Sequence, residues 1–122
     1  MSPADAAAYL TDPAVLHWVA EQDGLVVGEL LCHVLRLPHG TGRELLLYSI
    51  GVRERYRRRG IGSALVREML TWARQAGVPL IWVLADNPDA ETFYESAGFR
   101  HGEEHEQGVL MLIEIAAGRT GR

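Results

Sequence analysis

Lysine is missing from the sequence altogether; all twelve Lys/Arg positions are arginine. Its absence excludes a phosphate loop built on Gly-Lys-Ser/Thr and any chemistry that runs through a lysine Schiff base. Cysteine is limited to Cys32, so no internal disulfide framework exists, and a reducing cytoplasmic setting is expected. Long hydrophobic runs are also lacking: residues 45–47 and 109–113 fall far short of the roughly 20 apolar residues that a bilayer-crossing helix needs. The opening Met1-Ser-Pro-Ala-Asp-Ala has no basic region before an apolar run and does not read as a signal peptide. No membrane partner is expected. The net charge of −4 argues against nucleic acid as a partner.

What is present fits one soluble domain. The chain has 122 residues, 48% hydrophobic and 23% charged, enough for a single core and too few for two. The domain is expected to span residues 1–122, with 116–122 a flexible tail.

The hydrophobic pattern gives the order of elements. Alanine-rich residues 5–10 read as a short helix stopped before Pro13. Residues 15–21 alternate as a strand, Asp23-Gly24 is a hairpin turn, and residues 25–35 form the returning strand. Residues 38–42 are a Gly- and Pro-rich loop. Residues 44–52 read as a third, mostly buried strand, with Gly51 as a candidate bulge. Ile61, Leu65, Met69, Trp72 and Ala76 then recur at helical spacing, and Gly77 and Pro79 close that helix. Residues 80–85 suit a buried strand. Asn87-Pro88 caps a second helix carrying Ala90, Phe93, Tyr94 and Ala97, and strands at about 99–104 and 109–115 finish the domain. The expected fold class is α/β (α+β): a mixed, mostly antiparallel sheet with helices packed on it.

One segment concentrates charge. Arg57-Arg58-Arg59-Gly60-Ile61-Gly62-Ser63 lies between a strand and a helix. The first backbone N–H groups of a helix have no intrahelical partner and point outward with the positive end of the dipole. Gly60 and Gly62 remove the side chains that would hold an anion away, and the three arginines add permanent cationic donors. The combination reads as a pyrophosphate cradle. A glycine-rich turn followed by a solvated arginine face fits the same letters. A dinucleotide fingerprint fits poorly, because Leu65 stands where glycine or alanine is required.

The run from Val52 to Gly62 resembles the acetyl-CoA signature of the GCN5-related N-acetyltransferases, Arg/Gln-x-x-Gly-x-Gly/Ala, with Arg57, Gly60 and Gly62 at the defining places. A second block is similar to the family's asparagine, alanine, tyrosine and Gly-Phe pattern, through Asn87, Ala90, Tyr94, Gly98 and Phe99. The resemblance covers about residues 10–115. It implies a sheet with a splayed strand pair, helices on both faces, and acetyl-CoA as cosubstrate with no metal. Ile50, Gly51 and Val52 would offer backbone groups to the pantetheine arm. Arg57, Arg58, Arg59, Gly60, Ile61, Gly62 and Ser63 would hold the pyrophosphate. Asn87 would bond the pantetheine amides, although it serves equally well as a helix cap. Tyr94 would protonate the departing thiolate, and its alternative is a core tyrosine. The implied reaction is direct transfer of acetyl to a primary amine. Small cationic amines lead as acceptor, with a protein or peptide acceptor and a non-catalytic acyl-CoA-binding module as alternatives.

The resemblance leaves the general base open. The strand 44–52 resembles that of the type I aminoglycoside 3-N-acetyltransferases, in which an acidic residue lies where Ser49 stands. Glu44, Glu29, Tyr48 and His33 are the candidates. His101, Glu103 and His105 alternate as metal ligands could, but a solvated hairpin explains them as well. The front of the chain is short for the family, so uncovered sheet surface makes a homodimer the expected assembly.

Overall fold

The computed structural model describes residues 2–38 and 42–115, except the side chain of His105. The expected tail 116–122, the centre of the 38–42 loop and the ligand role of His105 lie outside the described residues.

The elements run α1 (Pro3–Thr11), β1 (Val15–Gln22), β2 (Leu25–Arg36), β3 (Arg43–Val52), a 3-10 turn (Glu54–Tyr56), α2 (Ile61–Ala76), β4 (Leu80–Ala85), α3 (Pro88–Ser96), β5 (Arg100–His105) and β6 (Gly108–Glu114). Helix α1 starts earlier than its alanines indicate. Ser2 caps it by accepting the Asp5 N–H at 3.1 Å, and Pro3 takes the first turn, where a missing N–H costs nothing. Asp23 and Gly24 both adopt positive φ (52° and 79°), the conformation that a tight hairpin between β1 and β2 requires.

The six strands form one sheet in the order β1-β2-β3-β4-β6-β5. Every neighbouring pair is antiparallel except β3 and β4, which run parallel and meet only at Leu45–Ile81 and Leu46–Trp82. Beyond Leu46 the two strands part, which gives the splayed pair. The sheet is thus two antiparallel triplets joined by a seam two residues long.

Gly51 is not a bulge: it pairs regularly with Glu29, as Ile50 does with Leu30. The extra residue on β3 is Tyr48, because Ser49 pairs with Leu31 and Leu47 with Cys32. Which residue is extruded depends on register against β2, and that is a non-local property.

One face of the sheet carries the core. Leu30 and Cys32, Leu45 and Leu47, Ile81, Val83 and Ala85, and Met111 all project inward on alternate positions. Helix α2 meets them with Leu65, Val66, Met69 and Ala73, and α3 with Tyr94. Gly28 permits this approach: a Cβ there would come within 3.0 Å of the Ile61 side chain and 3.4 Å of Leu65. The largest of these side chains, Leu30, Leu45, Leu47, Met69, Ile81 and Met111, are fully buried, each contributing about 1.5–3 kcal/mol. On the opposite face α1 is the one helix that packs among the described residues, and Leu84 and Tyr48 stay exposed.

Candidate active site

The ends of the two parallel strands point the same way, so the wedge between β3 and β4 opens beside the starts of α2 and α3. A cleft of about 450 Å³ lies there. Its walls are Ile50, Gly51 and Val52 of β3, Tyr56, Arg57 and Arg58 of the connecting turn, Gly60 to Ser63 at the head of α2, and Phe93 of α3.

The arginine run is divided by its local bonds. Arg53 Nε donates to the Val26 carbonyl at 2.8 Å and ties the turn back to β2. Arg57 Nε donates to the Val52 carbonyl at 3.0 Å, so its guanidinium is fixed at the end of β3 and on the cleft. Arg58 adopts φ 64° and Gly60 φ 80°, two left-handed residues that swing the chain into α2. Arg59 lies 5.3 Å and Arg55 6.0 Å from the Tyr56 ring centre, stacked on that ring. Arg57 and Arg58 therefore line the cleft and Arg59 does not.

Helix α2 has no side chain at its cap, because the cap residue is Gly60. Its first intrahelical bond runs from Ala64 N–H to the Gly60 carbonyl at 3.0 Å, which leaves the N–H groups of Ile61, Gly62 and Ser63 without intrahelical partners. Gly62 matters sterically: a Cβ on it would sit 3.3 Å from the Phe93 ring. Gly60 has open space around it, so its requirement is conformational.

Asn87 caps α3. Its Oδ1 accepts the Ala90 N–H at 2.8 Å and its Nδ2 donates to Asp86 at 3.0 Å, and it does not line the cleft. Tyr94 lies deeper, its ring between Phe93 and Phe99, each with centroids 5.4 Å away. Burial pushes its phenol up to about 12, with Asp86 and Cys32 adding to the shift. Tyr94 as a whole is buried, and among the described residues no fully buried side-chain oxygen lacks a partner. Cys32 is packed rather than poised: its thiol donates to Met69 Sδ at 3.5 Å, and burial pushes it up to about 12. His101 faces α3, at 3.3 Å from Glu91 and 3.7 Å from Glu95.

The structure thus brings together Ile50, Gly51, Val52, Arg57, Arg58, Gly60, Ile61, Gly62 and Ser63, and sets Arg59, Asn87 and Tyr94 outside that cleft wall. Phe93, which the helical pattern marks only as core, supplies the facing wall. No signal in the chain's own letters separates it from Tyr94, its neighbour on the same stripe.

The chain has relatives among known proteins. A profile of the "Acetyltransferase (GNAT) family" matches residues 2–99. The chain is 33% identical over 112 residues to N-acetyltransferase 8 of Rattus norvegicus, covering 88% of this chain and 50% of that protein. It is 39% identical over 85 residues to the N-alpha-acetyltransferase RimI of Mycobacterium tuberculosis, covering 69% and 52%. It spans about half the length of these two relatives. Among solved structures, an aminoglycoside acetyltransferase from an uncultured soil metagenomic sample superposes with a TM-score of 0.78 at 26% identity, over 86% of this chain and 72% of that one.

Proposed function

This chain belongs to the acetyltransferase (GNAT) family, and from that premise we propose that it is an acetyl-CoA-dependent N-acetyltransferase acting on a primary amine of a small cationic molecule. The observation that carries the reading is the cleft itself. Three helix-start N–H groups without intrahelical partners and the side chains of Arg57 and Arg58 share its wall with the end of β3.

The donors present fit the cosubstrate. A diphosphate matches the N–H groups of Ile61, Gly62 and Ser63 together with Arg57 and Arg58, while Arg59 adds charge from its stack on Tyr56. The pantetheine arm has peptide-like amides, and Ile50, Gly51 and Val52 carry backbone groups on a strand edge that β4 has left unpaired. Asn87 remains in its capping role and offers its second amide hydrogen. Acetyl-CoA supplies an activated acyl group, so no covalent enzyme intermediate is required.

Tyr94 is the proton donor of the proposal. A phenol pushed up to about 12 stays protonated across the neutral range, and Tyr94 is held between Phe93 and Phe99 at the base of α3. Its role is to deliver that proton to the departing sulfur.

A cationic acceptor suits the chain's acidic balance. The superposed aminoglycoside acetyltransferase supports the same class. A peptide α-amine is the second reading, favoured by the 39% identity to the N-alpha-acetyltransferase. The proposal places the protein in the cytoplasm, as its lone buried thiol suits, and as a homodimer joined through the face on which α1 packs. Release of free CoA thiol from acetyl-CoA, followed with spermidine, kanamycin and an Ala-initiated peptide, tests the activity and separates the two acceptor classes. CoA that shifts the melting temperature with no thiol release would instead identify a binding module.

A further inference from the structure

Transfer of acetyl to an amine removes a proton from nitrogen and delivers one to sulfur. Tyr94 serves only the second task. The group for the first must begin without the proton that Tyr94 begins with, so it is a different residue.

Cys32 and His33 are consecutive on β2 and face opposite sides of the sheet. Cys32 points into the core, bonded to Met69 and within electrostatic range of Tyr94. His33 points the other way, where its Nε2 lies 2.6 Å from Tyr9 Oη and its ring centre 5.1 Å from that of Tyr48. Its partner on β3 is Leu46, and Leu46–Trp82 is the last pair joining β3 to β4. The imidazole therefore flanks the point where the wedge opens, next to the bulged residue Tyr48 and across the sheet from Tyr94. Two phenol-bearing neighbours from separate elements restrict a side chain that a solvated histidine would leave mobile.

We propose that His33 is the base that takes the proton from the acceptor amine, and that Tyr9 is the positioning residue that orients it. The inference rests on the transferase reading above. With Nε2–H donating to Tyr9 Oη, the Nδ1 lone pair is free. An N–H bond of the acceptor ammonium breaks and its proton passes to Nδ1, directly or through one water. The electron pair left on nitrogen forms the C–N bond to the carbonyl carbon. The C–S bond breaks, and sulfur takes the Tyr94 proton. The second proton that nitrogen must shed to become an amide restores the Tyr94 phenol, and His33 loses its proton to solvent. The ionisable groups around His33 are Tyr9 on α1, His17 on β1 (3.8 Å from Glu29 of β2), and Glu44 and Tyr48 on β3.

The test compares wild type, His33→Gln and Tyr9→Phe by thiol release from acetyl-CoA, with spermidine, kanamycin and an Ala-initiated peptide, across the neutral to alkaline range. His33→Gln is expected to lower kcat at least about tenfold at neutral pH, with the CoA-induced melting shift unchanged. The deficit should shrink as pH approaches the amine's own pKa, about 10 for an alkyl ammonium, because solvent then removes the proton first. Tyr9→Phe should give a smaller loss with the same pH trend. A deficit equal at every pH, or none, overturns the assignment of His33 and leaves the transferase reading standing. Absence of thiol release from wild type with all three amines overturns both.

Discussion

Phe93 stands 3.3 Å from the point that a Cβ on Gly62 would occupy, so the head of α2 and the wall of α3 are fitted to each other through an absent side chain. Gly62→Val should push Phe93 aside and fill the cleft. The expected result is a folded protein whose melting temperature no longer rises with CoA. An undiminished rise would remove the cleft from the proposal.

Gly60 offers the contrasting case. Its φ of 80° with nothing within 4 Å makes the requirement one of backbone conformation alone. Gly60→Ala should therefore cost about 1–2 kcal/mol and lower the melting temperature by about 5 °C. Binding of CoA to the folded fraction should survive. Calorimetry with and without CoA separates the two glycines.

Tyr94→Phe keeps the ring between Phe93 and Phe99 and removes only the hydroxyl. A thiol has a pKa near 8.5, so a thiolate leaves tolerably well unaided and the acid is helpful rather than indispensable. We expect kcat to fall by about one to two orders of magnitude, with stability and CoA affinity near wild type. Unchanged turnover would make Tyr94 a core tyrosine, and loss of CoA binding would make its hydroxyl structural.

Cys32 and Tyr94 also set an alkaline limit on the fold. Unfolded, they ionise near their ordinary values of 9.0 and 10.0; folded, burial holds both protonated to about 12. Above pH 9 the unfolded chain gives up protons that the native chain keeps, so stability is full below about pH 9 and falls as pH climbs toward 12. Denaturant midpoints from pH 8 upward should decline along that course. The decline should be shallower in Tyr94→Phe, and an equal slope in both proteins would argue against the shift at Tyr94.

The open face of the sheet leads to a prediction about assembly. Leu84 is 37% and Tyr48 64% exposed there. Light scattering at micromolar concentration should report twice the chain mass of 13.5 kDa. A species of 13.5 kDa alone would refute the homodimer.

Much of the fold was legible because its signals are local. Asp23-Gly24 specifies its turn through two positive φ values, residues 80–85 match β4 end to end, and Asn87-Pro88 starts α3 with the cap observed. The glycine-capped start of α2 was legible for the same reason, as its residues are consecutive in the chain. Features that depend on two distant segments were not. Tyr48 rather than Gly51 is extruded because of register against β2. Phe93 faces the cleft because Gly62 lets α2 approach, and Tyr9 reaches His33 across 24 residues. The arginines look equivalent in sequence, and only their partners (Val26, Val52 and Tyr56) give them different work.

The two-residue seam between β3 and β4 has a consequence for what the protein refuses. Past Leu46, β3 presents backbone groups along an edge, the kind of template that elsewhere recruits stray peptide strands and begins aggregation. Here that template is sunk inside the sheet, with a strand on either side and a helix across one face. With β4 and its two partners continuing the sheet beyond it, this edge is flanked rather than terminal, which is one way a fold keeps unpaired backbone from recruiting a second chain.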